Sequence, residues 1–141
     1  IKVVHRVHGS SSTAGTTEYL LKACPSQWSL GSGSTITWPA DTISQQGSGN
    51  VAKYIAENEY AIGYLDAGHG HDMGFQEIAL ENKDGRSLTS KDADIAAAGT
   101  VALAAQPSVL PTDPSVDWSG VNLYNLAGPT TWPITMFSYF Y

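Results

Sequence analysis

Arg6-Val7-His8-Gly9-Ser10-Ser11-Ser12-Thr13 gathers one guanidinium and a run of hydroxyls around a glycine. Arginine presents a planar fork of N–H donors that can meet two oxygens at once. The hydroxyls add donors without bulk, and Gly9 permits a tight turn. If such a segment joins a strand to a helix, the unpaired N–H groups of the helix start and the positive end of its dipole are added. The chemistry this supports is non-covalent capture of a small tetrahedral oxyanion by Arg6, Ser10, Ser11 and Ser12. On spacing alone a plainer reading stays open, in which Ser10 to Thr13 only cap a helix and Arg6 is a surface residue.

The flanking elements fit the strand-to-helix requirement. Lys-Val-Val-His, residues 2–5, is a β-branched run and predicts a strand. Residues 13–24 predict a helix, with Thr17, Leu20, Leu21 and Cys24 at helical spacing, an i,i+4 pair of Glu18 and Lys22, and Pro25 as the stop. Further on, TITWP predicts a short extended piece limited by Pro39, and GSGN a turn. VAKYIAEN predicts a second helix, with Val51 and Ile55 on one face and Asn58 at its end. YAIGYLD and QEIAL predict strands, the latter closed by an Asn-Lys-Asp-Gly turn at 82–85. Thr89 or Ser90 is placed to cap an alanine-rich helix running to about Ala104. Residues 106–129 read mostly as loop, and PITMFSYFY as β-prone. Strands interleaved with helices give an α/β class, with three helices flanking a sheet of four or five strands that is expected to be mixed.

Composition narrows the partners. The chain of 141 residues fits a single domain, 1–141. Its net charge of -6 and its scattered seven basic residues exclude a general nucleic-acid binder, which concentrates Lys and Arg on one face. The same charge disfavours anionic membrane surfaces. No window approaches the ~18 apolar residues of a membrane span. Only 14% of residues are charged, against about 25% in an average soluble domain, a balance more usual in exported proteins. The single cysteine, Cys24, excludes an internal disulfide and a multi-cysteine zinc site. Ile1 is no initiator, so the chain is expected to be a processed product or a piece of something longer.

Other clusters offer competing chemistry. His69 and His71, with Asp72 or Asp66, have ligand types for zinc or copper; the plainer reading is a glycine-rich loop with solvated imidazoles. No Gly-x-Ser-x-Gly nucleophile elbow is present, which disfavours a hydrolase. Asp92 with Asp94 and Glu57 with Glu59 read as helix-end electrostatics and a solvated turn rather than acid–base pairs. Trp28, Trp38, Trp118 and Trp132 suit either a carbohydrate-stacking surface or packing. No cofactor is implied.

Several segments together resemble the PstS-type phosphate-binding proteins, the capture components of phosphate ABC importers. IKVVHRVHGSSST is similar to their segment containing R-x-D-G-S-G-T, and TTEYLLKACPSQW to their helix ending in a Trp-containing stretch. GSGSTITWP is similar to their G-x-G-S-x-V-x-W-P, and NVAKYIAENEYAIGYLD to their G-V-A-x-x-I followed by G-A-I-G-Y-x-E. ALENKDG resembles their strand and N-x-D-G turn, and TWPIT their Y/W-P-I return strand. The resemblance implies one lobe of a type II periplasmic-binding-protein clamp, the second of two, with phosphate held between lobes. It implies that Arg6 matches the phosphate-binding arginine, and that Ser10, Ser11 and Ser12 match the positions whose hydroxyls and N–H groups hold the oxygens. It implies extracytoplasmic work without catalysis, with an ABC importer membrane component as a partner.

Two positions depart from the family's pattern. His8 stands where the family has an aspartate paired with the arginine, which leaves Arg6 freer and adds positive charge when the imidazole protonates. Ser11 replaces a glycine and puts a side chain where backbone normally approaches ligand. The first lobe, with its own hydroxyls and a proton-accepting aspartate, is missing from this sequence. Acting alone, the segment is expected to offer half a cradle that hardly separates phosphate from sulfate. An exported structural or cell-surface protein keeping the fold without transport is the alternative, and metal binding at His69 and His71 a lesser one.

Overall fold

The structure is a computed structural model that describes residues 1–105 and 110–138. Its element order is β1 (Lys2–Arg6), α1 (Ser11–Ala23), β2 (Ile43–Gln45), α2 (Gly47–Glu57), β3 (Ala61–Gly63), α3 (Ala67–Asp72), β4 (Leu80–Glu81), β5 (Ser87–Leu88) and α4 (Ile95–Ala104). The chain divides into two compact units, Ile1–Glu77 and Ile78–Tyr141.

The first unit is built on a three-stranded sheet in the order β2-β1-β3, with both pairs parallel. Parallel neighbours need crossover connections, and α1 and α2 lie in them. β1 is central because Val4 and His5 can be buried in its middle, Val4 completely. Its register sets Val4 opposite both Ile43 and Gly63, and Arg6 opposite Gln45. The chain leaves β1 for β2 on one side, then passes back to β3 on the other. The carboxyl end of β1 is therefore a topological switch point, where open parallel sheets place their ligands.

The buried face of α1 is more polar than its Leu-rich spacing predicts. Ser12, Thr13, Gly15, Thr17 and Tyr19 are buried, while Leu21 is exposed. Hydroxyl bonding accounts for this: Thr17 Oγ1 donates to Thr13 O at 2.8 Å and accepts the N–H of Gly33 at 3.1 Å. That second bond fixes the glycine-rich loop after α1 to the helix. α2 begins four residues before the predicted helix, so Gly-Ser-Gly-Asn forms its first turn and not a separate one. Its Val51 and Ala52 are buried. The extended piece expected at TITWP is irregular, and the strand forms slightly later as β2.

In the second unit β4 and β5 form an antiparallel hairpin around the 82–85 turn. Parallel and antiparallel pairs are thus segregated into two sheets, and the α/β class with flanking helices stands. α4 starts later than Thr89 or Ser90 would place it. Its cap is Asp94, whose Oδ1 accepts the Ala97 N–H at 3.1 Å. Ala98 and Ala102, one turn apart, are buried with Leu110 and Leu123, and Trp118, Val121 and Leu126 pack against them. Residues 110–129 hold no helix or strand, as the loop reading expects, and 106–109 lie outside the described residues. The β-prone carboxyl-terminal stretch forms no strand over 133–138; only Thr131, just before it, makes an isolated bridge to Asp94. Its last three residues also lie outside the description.

Candidate functional site

Arg6 ends β1, and the turn 7–10 delivers the chain to α1. Gly9 lets a neighbouring loop come close to this turn. A Cβ there would lie 3.3 Å from Thr35 Oγ1 and 3.6 Å from Ser34 Oγ, so the Ser34–Thr35 loop is pressed against the turn. The Ser10 N–H donates to Ser34 O at 2.9 Å and holds that contact.

Ser10 occupies the N-cap position of α1 but does not cap with its side chain. Its hydroxyl turns instead to Arg6, whose Nη1 donates to Ser10 Oγ at 3.2 Å. Ser10 Oγ also shares a 2.9 Å hydrogen bond with Ser12 Oγ. The same Nη1 donates to Ser48 Oγ, in the first turn of α2, at 3.2 Å. Ser48 Oγ in turn makes a long donor contact of 3.5 Å to Asp66 Oδ2. The structure thus brings Arg6, Ser10 and Ser12 together. Ser11 is exposed at the first position of α1, and its hydroxyl joins no hydrogen bond among the described residues. What remains of Ser11 for a ligand is its backbone N–H, one of the free donors of the helix start.

The electrostatics are those of an unneutralised cation. Among the described residues Arg6 forms no ion pair. Its Nε is buried and has no hydrogen-bond partner. A buried unpaired donor costs about 1–3 kcal/mol in a folded protein, more on a charged group, so its presence calls for a partner. Neither α1 nor α2 has an acidic residue in its first turn or a side-chain cap. The start of α1 keeps its positive end open, while at the start of α2 the Asp66 carboxylate lies 3.5 Å from Ser48 Oγ. His8 is exposed and does not approach Arg6 within hydrogen-bonding distance.

Behind the arginine stands an aromatic support. Trp38 stacks on His5 with ring centres 4.7 Å apart and on Tyr64 at 6.0 Å, while Trp28 meets its edge at 5.9 Å. His5 Nδ1 lies 3.1 Å from Arg6 O, and the phenol of Tyr64 accepts the Arg6 N–H. Trp28 and Trp38 therefore serve packing. Trp118 meets Phe137 edge-on at 6.2 Å.

Sequence reading missed Ser48, Asp66 and Tyr64 as neighbours of Arg6. Ser48 lies in GSGN, whose glycines and serine read locally as a turn, and nothing in the spacing joins it to a residue 42 positions earlier. The histidine pair has a different fate. His69 and His71 lie on α3 rather than in a loop, and His71 Nε2 lies 3.4 Å from Glu77 Oε2. Among the described residues no three His, Cys, Asp or Glu side chains come together to hold a metal ion. Nor is any described helix long and apolar enough to cross a membrane.

What fold and site define is an α/β unit with an arginine and a hydroxyl cluster at the switch point of a parallel sheet. Comparison with known proteins gives that arrangement a context. The chain is 33% identical, over an alignment 144 positions long, to phosphate-binding protein PstS of Pasteurella multocida, and 31% identical over 143 positions to that of Haemophilus influenzae. Each alignment covers 99% of this chain. PstS of the archaeon Methanocaldococcus jannaschii is 32% identical over 114 residues, or 77% of the chain. The chain spans only 38% and 39% of the length of the first two relatives. It is therefore similar, end to end, to a part of PstS. No family model matches it.

Proposed function

We propose that this chain binds inorganic phosphate or a closely related oxyanion, without catalysis, at the carboxyl end of β1. Arg6 supplies the charge, Ser10 and Ser12 supply hydroxyls, and Ser11 joins through its backbone N–H. The observation that carries the reading is the state of Arg6: a guanidinium set among hydroxyls, with no ion pair among the described residues and a buried Nε that bonds nothing. An oxyanion at this corner would satisfy that donor together with the open N–H groups of α1.

The similarity to proteins named for phosphate binding supports the same ligand. Because the chain spans well under half the length of each of those relatives, its role as the second lobe of a longer solute-binding clamp belongs to this proposal. So do its extracytoplasmic location and its service to an ABC importer. A clamp closing on the ligand would bury the corner that one lobe leaves open to water.

Calorimetric titration with inorganic phosphate tests the reading. The full chain should bind, and Arg6→Ala should weaken binding by ~30-fold or more, since removing the partner of a charged ligand costs about 2 kcal/mol or more. Absence of heat and of any rise in melting temperature with phosphate would reject ligand capture and leave a structural protein that keeps the fold.

A further inference from the structure

We propose that the oxyanion site spans two helix starts, and that Ser48 at the beginning of α2 is a ligand-contacting residue. The inference rests on the phosphate reading given above and extends it to a residue outside the Arg6–Ser12 segment.

The geometry points there through one nitrogen. Arg6 Nη1 carries two hydrogens, and it directs one to Ser10 Oγ and the other to Ser48 Oγ, each at 3.2 Å. The first hydroxyl stands at the start of α1, and the second at the second residue of α2. Both helices follow parallel strands, so both begin at the carboxyl end of the same sheet. The guanidinium bridges two helix starts that are remote in sequence, and an anion drawn to it faces both.

Three further observations favour a ligand between them. Hydrogen bonds from guanidinium to anionic oxygen run about 2.7–2.9 Å, so the two 3.2 Å contacts to neutral hydroxyls leave the cation under-engaged. Nε of the same group is buried with no partner, so the guanidinium is short of acceptors at that nitrogen as well. Finally, α2 has no side-chain cap and no acidic residue in its first turn, and a Cβ placed at Gly49 would meet nothing within 4 Å. The N–H groups beside Ser48 are open.

Asp66 opposes anion entry and must be part of the account. Its Oδ2 receives the Ser48 hydroxyl hydrogen only at 3.5 Å, in an exposed position, which makes the bond weak. On ligand entry Ser48 turns its hydrogen from Asp66 to a ligand oxygen, a shorter bond to an anion lying against the guanidinium.

The experiment is titration of the full chain with inorganic phosphate, comparing wild type, Arg6→Ala, Ser48→Ala and Ser48→Thr. Ser48→Ala should raise the Kd about tenfold, the effect of one hydrogen bond to a charged group. Ser48→Thr, which keeps the hydroxyl, should stay within about threefold of wild type, so that the loss tracks the hydroxyl and not the packing. Melting temperatures without ligand separate folding from binding. If Arg6→Ala abolishes binding while Ser48→Ala leaves the Kd unchanged, Ser48 is no ligand and the phosphate reading survives. If wild type does not bind, or Arg6→Ala binds as wild type does, the phosphate reading itself fails and takes the role of Ser48 with it. If Ser48→Ala melts before titration, Ser48→Cys serves in its place, being close to serine in size and carrying only a weak donor.

Discussion

The phenol oxygen of Tyr64 accepts the backbone N–H of Arg6 at 3.1 Å, across 58 residues of sequence. It also shares a 2.7 Å hydrogen bond with Thr13 Oγ1, in the first turn of α1. One hydroxyl thus ties the segment after β3 both to the end of β1 and to the start of α1. That tie fixes where the Arg6 guanidinium begins and where the α1 donors stand. The ring bearing it is stacked on Trp38, which limits its swing.

Tyr64→Phe should keep the stack and lose both bonds. Thr13 is buried, so its hydroxyl would be left with a poorer environment. We expect a loss of about 1–2 kcal/mol in urea unfolding. Phosphate affinity should fall several-fold more than in a surface variant of equal stability, because the backbone of Arg6 is freed. Unfolding curves and calorimetry on the same preparation measure the two effects separately.

Gly63→Ala should be more damaging than a glycine-to-alanine change in a strand usually is. A Cβ at this position would come within 3.0 Å of both Ile55 Cδ1 and Val4 O. Ile55 can turn aside, but the carbonyl belongs to the central strand and cannot. Overpacking of this kind costs about 1–3 kcal/mol, and it would push β3 away from β1. A fall in the unfolding midpoint checks this, and an unchanged midpoint would show that the close approach is relieved at no cost.

Asp113 and Asp117 each form a small turn with the serine two residues on. Asp113 is held below the ordinary 3.8 first by the Ser115 hydroxyl and then by the Ser115 N–H. For Asp117 the Ser119 N–H acts first and the hydroxyl second. A carboxyl whose pKa is lower folded than unfolded stabilises the fold above the unfolded value. That contribution is lost as pH falls through the folded value. Both carboxyls are exposed, so the gain is small. Carboxyl chemical shifts followed through an acid titration should give midpoints below 3.8, and Ser115→Ala should move that of Asp113 upward.

How much of this was legible in the sequence differs by the range of the interaction. β1 and α1 were legible, because β-branched residues, a glycine turn and Pro25 are local signals. The convergence of Arg6 with Ser10 followed from the same strand-to-helix corner. β2, β5 and α3 were not read as such. A strand of two or three residues carries too little periodicity to show, and its pairing with β1 or β4 is decided by tertiary contact. The buried face of α1 was misjudged because Thr13 and Thr17 count as polar until hydrogen bonds to a carbonyl and a distant loop satisfy them. Ser48 and Tyr64 stayed invisible for a related reason: their relation to Arg6 exists only once β2-β1-β3 has assembled.

Asn82 allows a last prediction, in the second unit, where the Asn-Lys-Asp-Gly turn was read from sequence but its anchoring was not. Its side chain is buried and its amide is satisfied on both sides. Oδ1 accepts the N–H groups of Asp84 and Arg86, both at 3.0 Å, and so shapes the turn between β4 and β5. Nδ2 donates to Gly128 O at 2.9 Å and to Thr131 O at 3.3 Å, and so fixes the 128–131 segment against that turn. Asn82→Ala would strand two donors and two acceptors at once, at a cost of about 2–4 kcal/mol. Asn82→Asp separates the two halves of the role. A carboxylate still accepts from Asp84 and Arg86 but repels the carbonyls of Gly128 and Thr131, so the hairpin should survive while the 128–131 segment loosens. Amide hydrogen exchange read residue by residue should show protection kept at Arg86 and lost at Thr131, whose N–H bonds Gly128 O at 3.2 Å within that segment. Equal loss at both positions would mean that turn and segment form one cooperative piece, held by more than this amide.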